Sequence, residues 1–119
     1  MRHRRESAKL RIMFGPEIAI GPGKALLLEA IAESGSISES ARRLGMSYRR
    51  AWLLVDTMNR CFREPVVASA TGGSGGGGAH LTPFGRKVLA RFRALVTRIE
   101  RALDDPLEEF SNLLADRPR

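Results

Sequence analysis

Between Ser36 and Asn59 the chain reads Ser-Ile-Ser-Glu-Ser-Ala-Arg-Arg-Leu-Gly-Met-Ser-Tyr-Arg-Arg-Ala-Trp-Leu-Leu-Val-Asp-Thr-Met-Asn, and few folds accommodate it. The pattern predicts two helices joined by a tight turn. Ser36 stands where a helix wants a capping hydroxyl, and Glu39 follows at the capping-box spacing, which satisfies two orphan N–H groups reciprocally. Ile37, Ala41 and Leu44 recur at helical steps and face a core. Gly45 follows where a helix ends in the left-handed conformation. Ser47 then caps a second helix. The small Ala41, at the point where two helices must cross closely, fits a helix-turn-helix.

The second helix, 47–63, has two chemically distinct sides. At about 100° per residue, Ala51, Trp52, Val55, Met58, Asn59 and Phe62 fall on one side and are expected to hold the helix to a core. Arg49, Arg50, Leu53, Thr57 and Arg60 fall on the other. Arginine binds guanine O6 and N7 through two hydrogen bonds, and an apolar tip meets a thymine methyl. Helix-turn-helix proteins set the first residues of this helix against base edges, and Tyr48, Arg49 and Arg50 occupy that end. A basic, solvated face on a core helix is the plainer alternative. The arginines at the docking end favour DNA reading in the major groove. Ser36 and Ser38, opening the first helix of the pair, and Ser47, opening the second, complete the expected contacts on this side.

The balance of charge agrees. The 119 residues carry a formal net charge of +7, which favours polyanions, nucleic acid before an acidic membrane surface. With 43% hydrophobic residues a modest core is within reach, and the length suits one compact unit. The single cysteine, Cys61, excludes an intramolecular disulfide and suits a reducing, cytoplasmic setting. No apolar run is long enough to span a membrane. Catalytic, metal and cofactor chemistry find no support, since His3 and His80 are the only histidines and neither lies at a ligand spacing from Cys61 or a carboxylate. The expectation is therefore no enzyme and no cofactor.

The flanks complete a recognisable plan. Residues 1–9 form a basic arm. Leu10, Ile12 and Phe14 alternate with Arg11 and Met13 as a half-buried strand, Gly15-Pro16 turns it, and Glu17 to Ile20 returns. Gly21-Pro22-Gly23 breaks the strand, and Lys24 to Glu33 predicts a helix ended by Ser34-Gly35. Beyond the second motif helix, Pro65 stops helical structure. Val66 to Ala70 and Ala79 to Thr82 predict two short strands around a tip, 71–79, that is almost pure glycine. Such a hairpin after a helix-turn-helix describes a wing, with Gly75, Gly76, Gly77 and Gly78 bare enough to approach a sugar-phosphate backbone. A featureless linker is the alternative, and a nucleotide cradle is disfavoured because no lysine follows the glycines.

Thr82 and Pro83 then open a long helix. Val88, Phe92, Leu95, Ile99 and Leu103, with Val96, recur at three- and four-residue steps, a seam expected to pair with a second copy. Asp104-Asp105-Pro106 is expected to end that helix and Leu107 to Ala115 to form a last short one. The expected fold class is mainly α with a small β-wing. It divides into a basic arm (1–9), a winged helix-turn-helix (10–82) and C-terminal dimerisation helices (83–119).

Three stretches resemble the DNA-binding part of the molybdate-responsive ModE family of bacterial transcription regulators. They are Gly35-Ser36-Ile37-Ser38; Ser47-Tyr48 with Ala51-Trp52 and Met58-Asn59; and Ala70-Thr71-Gly72-Gly73 through Gly75 to Ala79, Leu81-Thr82 and Gly85. Together they span most of 9–103. A weaker similarity runs to LysR-type regulators, which share a winged helix-turn-helix followed by a long dimer helix. The resemblance implies a homodimeric transcriptional regulator that binds double-stranded DNA. Ser47, Tyr48, Arg49 and Arg50 would then meet DNA, and the helix from Pro83 would build the dimer. Molybdate-sensing members carry separate β-rich domains after this region. This sequence ends instead in helical, charged residues, so the expectation is either a stand-alone member or a piece of a longer protein, with no direct molybdate binding by the chain itself. The rival reading is a helical adaptor, or a DNA-binding subunit that partners a separate effector-sensing protein.

Overall fold

The computed structural model describes residues 7–70 and 78–118, so residues 1–6 of the basic arm and Gly75, Gly76 and Gly77 of the glycine tip lie outside the described residues. The chain opens with strand β1 (Ile12–Phe14) and strand β2 (Glu17–Ile20), paired antiparallel with Met13 opposite Ile18 and Phe14 opposite Glu17. Gly15 turns between them at φ 60°, a conformation that favours glycine. Register shifts between Ile12 and Met13. The expected alternation holds only in part. Leu10 and Ile12 pack against the core, but Phe14, beside the turn, is 65% exposed.

Helix α1 (Pro22–Ser34) begins two residues earlier than the composition suggests, because Pro22 occupies the first turn, where its missing N–H is no loss. Leu27, Leu28 and Ile31 are fully buried and form the centre of the core with Ile20, Ala41, Ala51 and Met58. Lys24 is buried too, and its ammonium donates to the Ile18 carbonyl. Desolvation holds its pKa below the ordinary lysine value. Gly35 ends α1 at φ 69°, donating to the Ile31 carbonyl at 2.8 Å.

The helix pair follows as α2 (Ile37–Arg43) and α3 (Tyr48–Cys61), with Gly45 at φ 68° in the corner. Ser36 and Ser47 both cap as expected, accepting from the Glu39 and Arg50 N–H groups at 3.0 and 3.1 Å. The capping box is only half built. Glu39 turns outward to Arg42 and Arg43, and the Ser36 N–H donates to the Ser34 hydroxyl instead. Buried Ser40 donates to the Ser36 carbonyl at 2.7 Å and lies 3.1 Å from the Ser34 hydroxyl, so three serines lock the α1–α2 corner.

Strand β3 (Val67–Ala70) pairs antiparallel with strand β4 (Gly78–Leu81), Val67 opposite Leu81 and Ala70 opposite Gly78. The root of this hairpin is held by side chains. Asn59 Oδ1 accepts from the Val66 and Val67 N–H groups at 2.8 and 3.2 Å, and its Nδ2 donates to the Val67 carbonyl at 3.1 Å. Thr82 donates its hydroxyl to the Pro65 carbonyl at 2.6 Å and accepts the Gly85 N–H at 2.8 Å. Ala79 N–H reaches the Gly35 carbonyl at 3.0 Å, tying β4 to the end of α1.

Helix α4 (Pro83–Ser111) is one continuous helix, so the expected break at Asp104-Asp105-Pro106 and the separate helix after it do not form. Proline removes one hydrogen bond, to the carbonyl of Ala102. Ala102 is exposed, and water can serve that carbonyl. Phe92 is buried, with Val88, Leu89 and Val96 against the same core, and Arg93 pairs with Glu29 of α1. The recognisable core therefore covers only the first half of α4.

Gly85 is where α4 crosses the hairpin root. A Cβ added there would sit 2.0 Å from the Val66 carbonyl oxygen. Gly85→Ala should therefore lower the unfolding free energy in urea by roughly 1–3 kcal/mol or more, as overpacking against backbone does. Asn59→Ala should cost about 1–3 kcal/mol by leaving the hairpin root unpartnered. A melting curve that neither substitution moves would contradict this account of the root.

Candidate nucleic-acid interface

Three inward residues of α3 hold it in place. Ala51, Val55 and Met58 are at most 6% exposed, which fixes the rotation of the helix about its axis. That rotation turns Tyr48, Arg49, Arg50 and Leu53 to the surface. Neither Arg49 nor Arg50 has an ion-pair partner among the described residues. Further along, Thr57 donates to the Leu53 carbonyl at 2.9 Å, and Arg60 bonds Asp56 at 3.1 Å and Thr57 at 3.4 Å. The outer face is thus graded: open guanidinium groups at the N-terminal end, side chains engaged with their own helix at the other.

Trp52 departs from expectation. Placed with the core residues by its spacing, it is 48% exposed. Its neighbours explain why. Ala51 and Val55 already fill the space beneath the helix, and an indole at position 52 projects past the edge of the core. Tyr48, one turn earlier and therefore on the same side, is 56% exposed. That i, i+4 relation was visible in the sequence and is the signal that would have moved Trp52 to the outer face. Both rings line a cleft of about 370 Å³ with Ser36, Ile37, Ser38, Ser69, Gly78 and Ala79. The cleft lies between the start of α2, the start of α3 and the β3–β4 hairpin. It brings together Ser36, Ser38, Tyr48 and Gly78 from the expected set, and adds Trp52 and Ser69. Gly78 stands in strand β4, not in a free loop.

Of the expected seam on α4, Phe92 belongs to the chain's own core and Val88 packs against it. Leu95 is 43% exposed, and Ile99 and Leu103 are half-buried. Beyond them Phe110, Leu113 and Leu114 are exposed. A second, apolar groove of about 310 Å³ lies beside Leu95, between Ile12, Phe62 and Phe84, with Arg63, Lys87 and Arg91 among its lining residues. Among the described residues no group of histidine, cysteine and carboxylate side chains could hold a metal ion, and no helix is long and apolar enough to cross a membrane.

The one carboxylate of α2 is paired on its own helix. Glu39 accepts from Arg42 at 2.6 Å and from Arg43 at 3.1 Å. These hydrogen bonds, foremost that from Arg42, lower its pKa to about 2. A depressed carboxylate pKa means that the pairing is intact above the ordinary glutamate range and is lost as pH falls through about 2. A carbon-detected NMR titration should show the Glu39 carboxyl still ionised at pH 3.5, and Arg42→Ala should raise its midpoint. A wild-type midpoint in the ordinary glutamate range would refute the clamp.

No protein-family model matches the chain. Individual relatives do. It is 43% identical over 86 residues to the molybdenum transport protein ModE of Azotobacter vinelandii, covering 72% of this chain and 32% of that protein. It is 41% identical over 83 residues to the DNA-binding transcriptional dual regulator ModE of Escherichia coli K12, covering 70% and 32%. With the molybdenum-pterin-binding protein MopB of Rhodobacter capsulatus it shares 42% over 102 residues, 79% of this chain and 38% of that one. The chain thus spans about a third of the length of the curated relatives it matches. Among solved structures, the CbnR DNA-binding domain in its DNA complex superposes with a TM-score of 0.58 at 18% identity, over 73% of this chain and 94% of that one. Over some seven-tenths of its length, then, the chain is similar to the ModE regulators, and it is folded like a winged-helix DNA-binding domain.

Proposed function

We propose that this chain is a sequence-specific DNA-binding transcriptional regulator that acts as a homodimer. The observation that carries the reading is the outer face of α3, where Arg49 and Arg50 stand exposed in the first turn of a helix whose rotation is fixed by Ala51, Val55 and Met58. A helix so placed enters a major groove with its N-terminal residues at base edges. Relatives named as transcriptional regulators, and a structural neighbour solved on DNA, support the same assignment. In this reading α3 reads bases, the β3–β4 hairpin rests on the backbone as a wing, and Ser36, Ser38 and Ser47 meet phosphates. The part of the α4 seam that lies outside the chain's own core, Leu95, Ile99 and Leu103, pairs with its copy. Two reading helices then face successive major grooves about 10–10.5 base pairs apart, or a multiple of that.

Selection from a random duplex pool, followed by fluorescence anisotropy on the enriched sequence, tests the reading. Arg50→Ala should reduce discrimination between the enriched and a scrambled duplex by about 1–3 kcal/mol if the guanidinium reads a guanine. An even loss on both duplexes would assign it to phosphate. No enrichment and no binding would leave the adaptor reading in its place. Leu95→Asp with Ile99→Asp puts carboxylates into the proposed seam, where burying an unpaired charge is strongly unfavourable. The double variant should sediment as a monomer, keep its helical circular dichroism and lose most affinity for a two-half-site duplex. A variant that stays dimeric would move the interface off α4.

A further inference from the structure

We propose that the cleft between α3 and the β3–β4 hairpin seats one DNA strand, with the Trp52 indole packed on a deoxyribose and the surrounding hydroxyls on the adjoining phosphate. The proposal rests on the DNA-binding reading above and adds a contact that is independent of base identity. Its starting point is an anomaly. The only tryptophan of the chain stands 48% exposed on a helix that buries Ala51, Val55 and Met58 almost completely. Tyr48 is exposed one turn away, so two aromatic rings line the same cleft. An aromatic pair at a surface, unlike a scattered apolar residue, marks a place where something of mixed apolar and polar character is to be covered.

The chemistry of the lining selects the occupant. Ser36, Ser38 and Ser69 bring hydroxyls to the cleft, and Tyr48 adds a phenol. The Ser36 Oγ already accepts the Glu39 N–H at 3.0 Å, which leaves its own hydrogen to donate outward. Among the described residues no carboxylate lines the cleft, Arg49 and Arg50 are exposed in the same first turn as Tyr48, and Glu39 is held by two arginines. A strand of nucleic acid presents the complement: a flat sugar face and, one bond away, anionic phosphate oxygens. Hydroxyls and backbone groups are common phosphate ligands, and aromatic side chains give sequence-tolerant contacts. Arg49 stands three residues before Trp52 on α3, about one turn away, so a duplex read by Arg49 and Arg50 brings its near strand to Trp52.

Because Trp52 is the single tryptophan, its emission reports on this cleft alone. The full chain is titrated with a fluorescein-labelled duplex, the sequence enriched by selection and a scrambled one, while anisotropy and tryptophan emission are read in the same cuvette. Tryptophan emission should change in step with anisotropy, and acrylamide quenching should fall several-fold at saturation. Trp52→Ala should weaken both duplexes alike by about tenfold, with the dependence on salt concentration unchanged because no ion pair is lost. Trp52→Phe should retain part of the affinity. Anisotropy that rises while emission and quenching stay at their free values would overturn the cleft and leave the DNA-binding reading standing. No anisotropy change on any duplex would overturn both. If Trp52→Ala melts early, the wild-type emission and quenching still decide the matter.

Discussion

One side chain, Asn59, holds the two halves of the molecule in register. It stands near the end of α3 and reaches the first residues of the hairpin with both ends of its amide, taking two N–H groups and giving one to a carbonyl. An amide can do this because it carries donor and acceptor on one planar group, the same pairing a neighbouring strand would offer. The consequence is that the β3–β4 hairpin leaves α3 in a fixed direction. Thr82 continues the same role on the other side, and Gly85 lets α4 pass over the Val66 carbonyl at a distance no side chain allows. Helix α3, the β3–β4 hairpin and α4 therefore meet within a few residues of each other, and the cleft beside Trp52 inherits its shape from that junction.

The sequence made the order of elements legible, because each is signalled by local chemistry. Serine caps at Ser36 and Ser47, left-handed glycines at Gly35 and Gly45, and a threonine-proline opening at Thr82 act within one turn of chain. Where the outcome depends on what lies across space, reading along the chain was less reliable. Trp52 has core spacing but sits beyond the edge of the core. Glu39 has capping-box spacing but is taken by arginines on its own helix. Pro106 carries a helix-stop signal, yet α4 is exposed there and passes through it. Phe92 looks like part of a surface seam, but the rest of the chain packs over it. In each case the residue type was informative and the neighbour was not visible.

The candidate site divides the same way. Arg49 and Arg50 could be placed from helical periodicity, since α3 has one strongly buried side and they stand opposite it. The cleft could not, because it needs the hairpin folded back over the start of α2, a contact carried by backbone groups such as Ala79 and Gly35 that no pattern of side chains announces.

The long helix has an unusual order of charge. Arg86, Lys87, Arg91, Arg93, Arg98 and Arg101 precede Asp104, Asp105, Glu108 and Glu109, with only Glu100 out of sequence. Helices generally gain from the opposite order, because their backbone is positive at the N-terminus and negative at the C-terminus. Here side chains and backbone point the same way, so α4 forgoes a small local stabilisation and becomes a permanent electric dipole about 43 Å long at 1.5 Å per residue. Near any polyanion such a dipole feels a torque. The end joined to the helix-turn-helix is drawn in and the acidic end is turned away, so the molecule arrives at a charged surface already oriented.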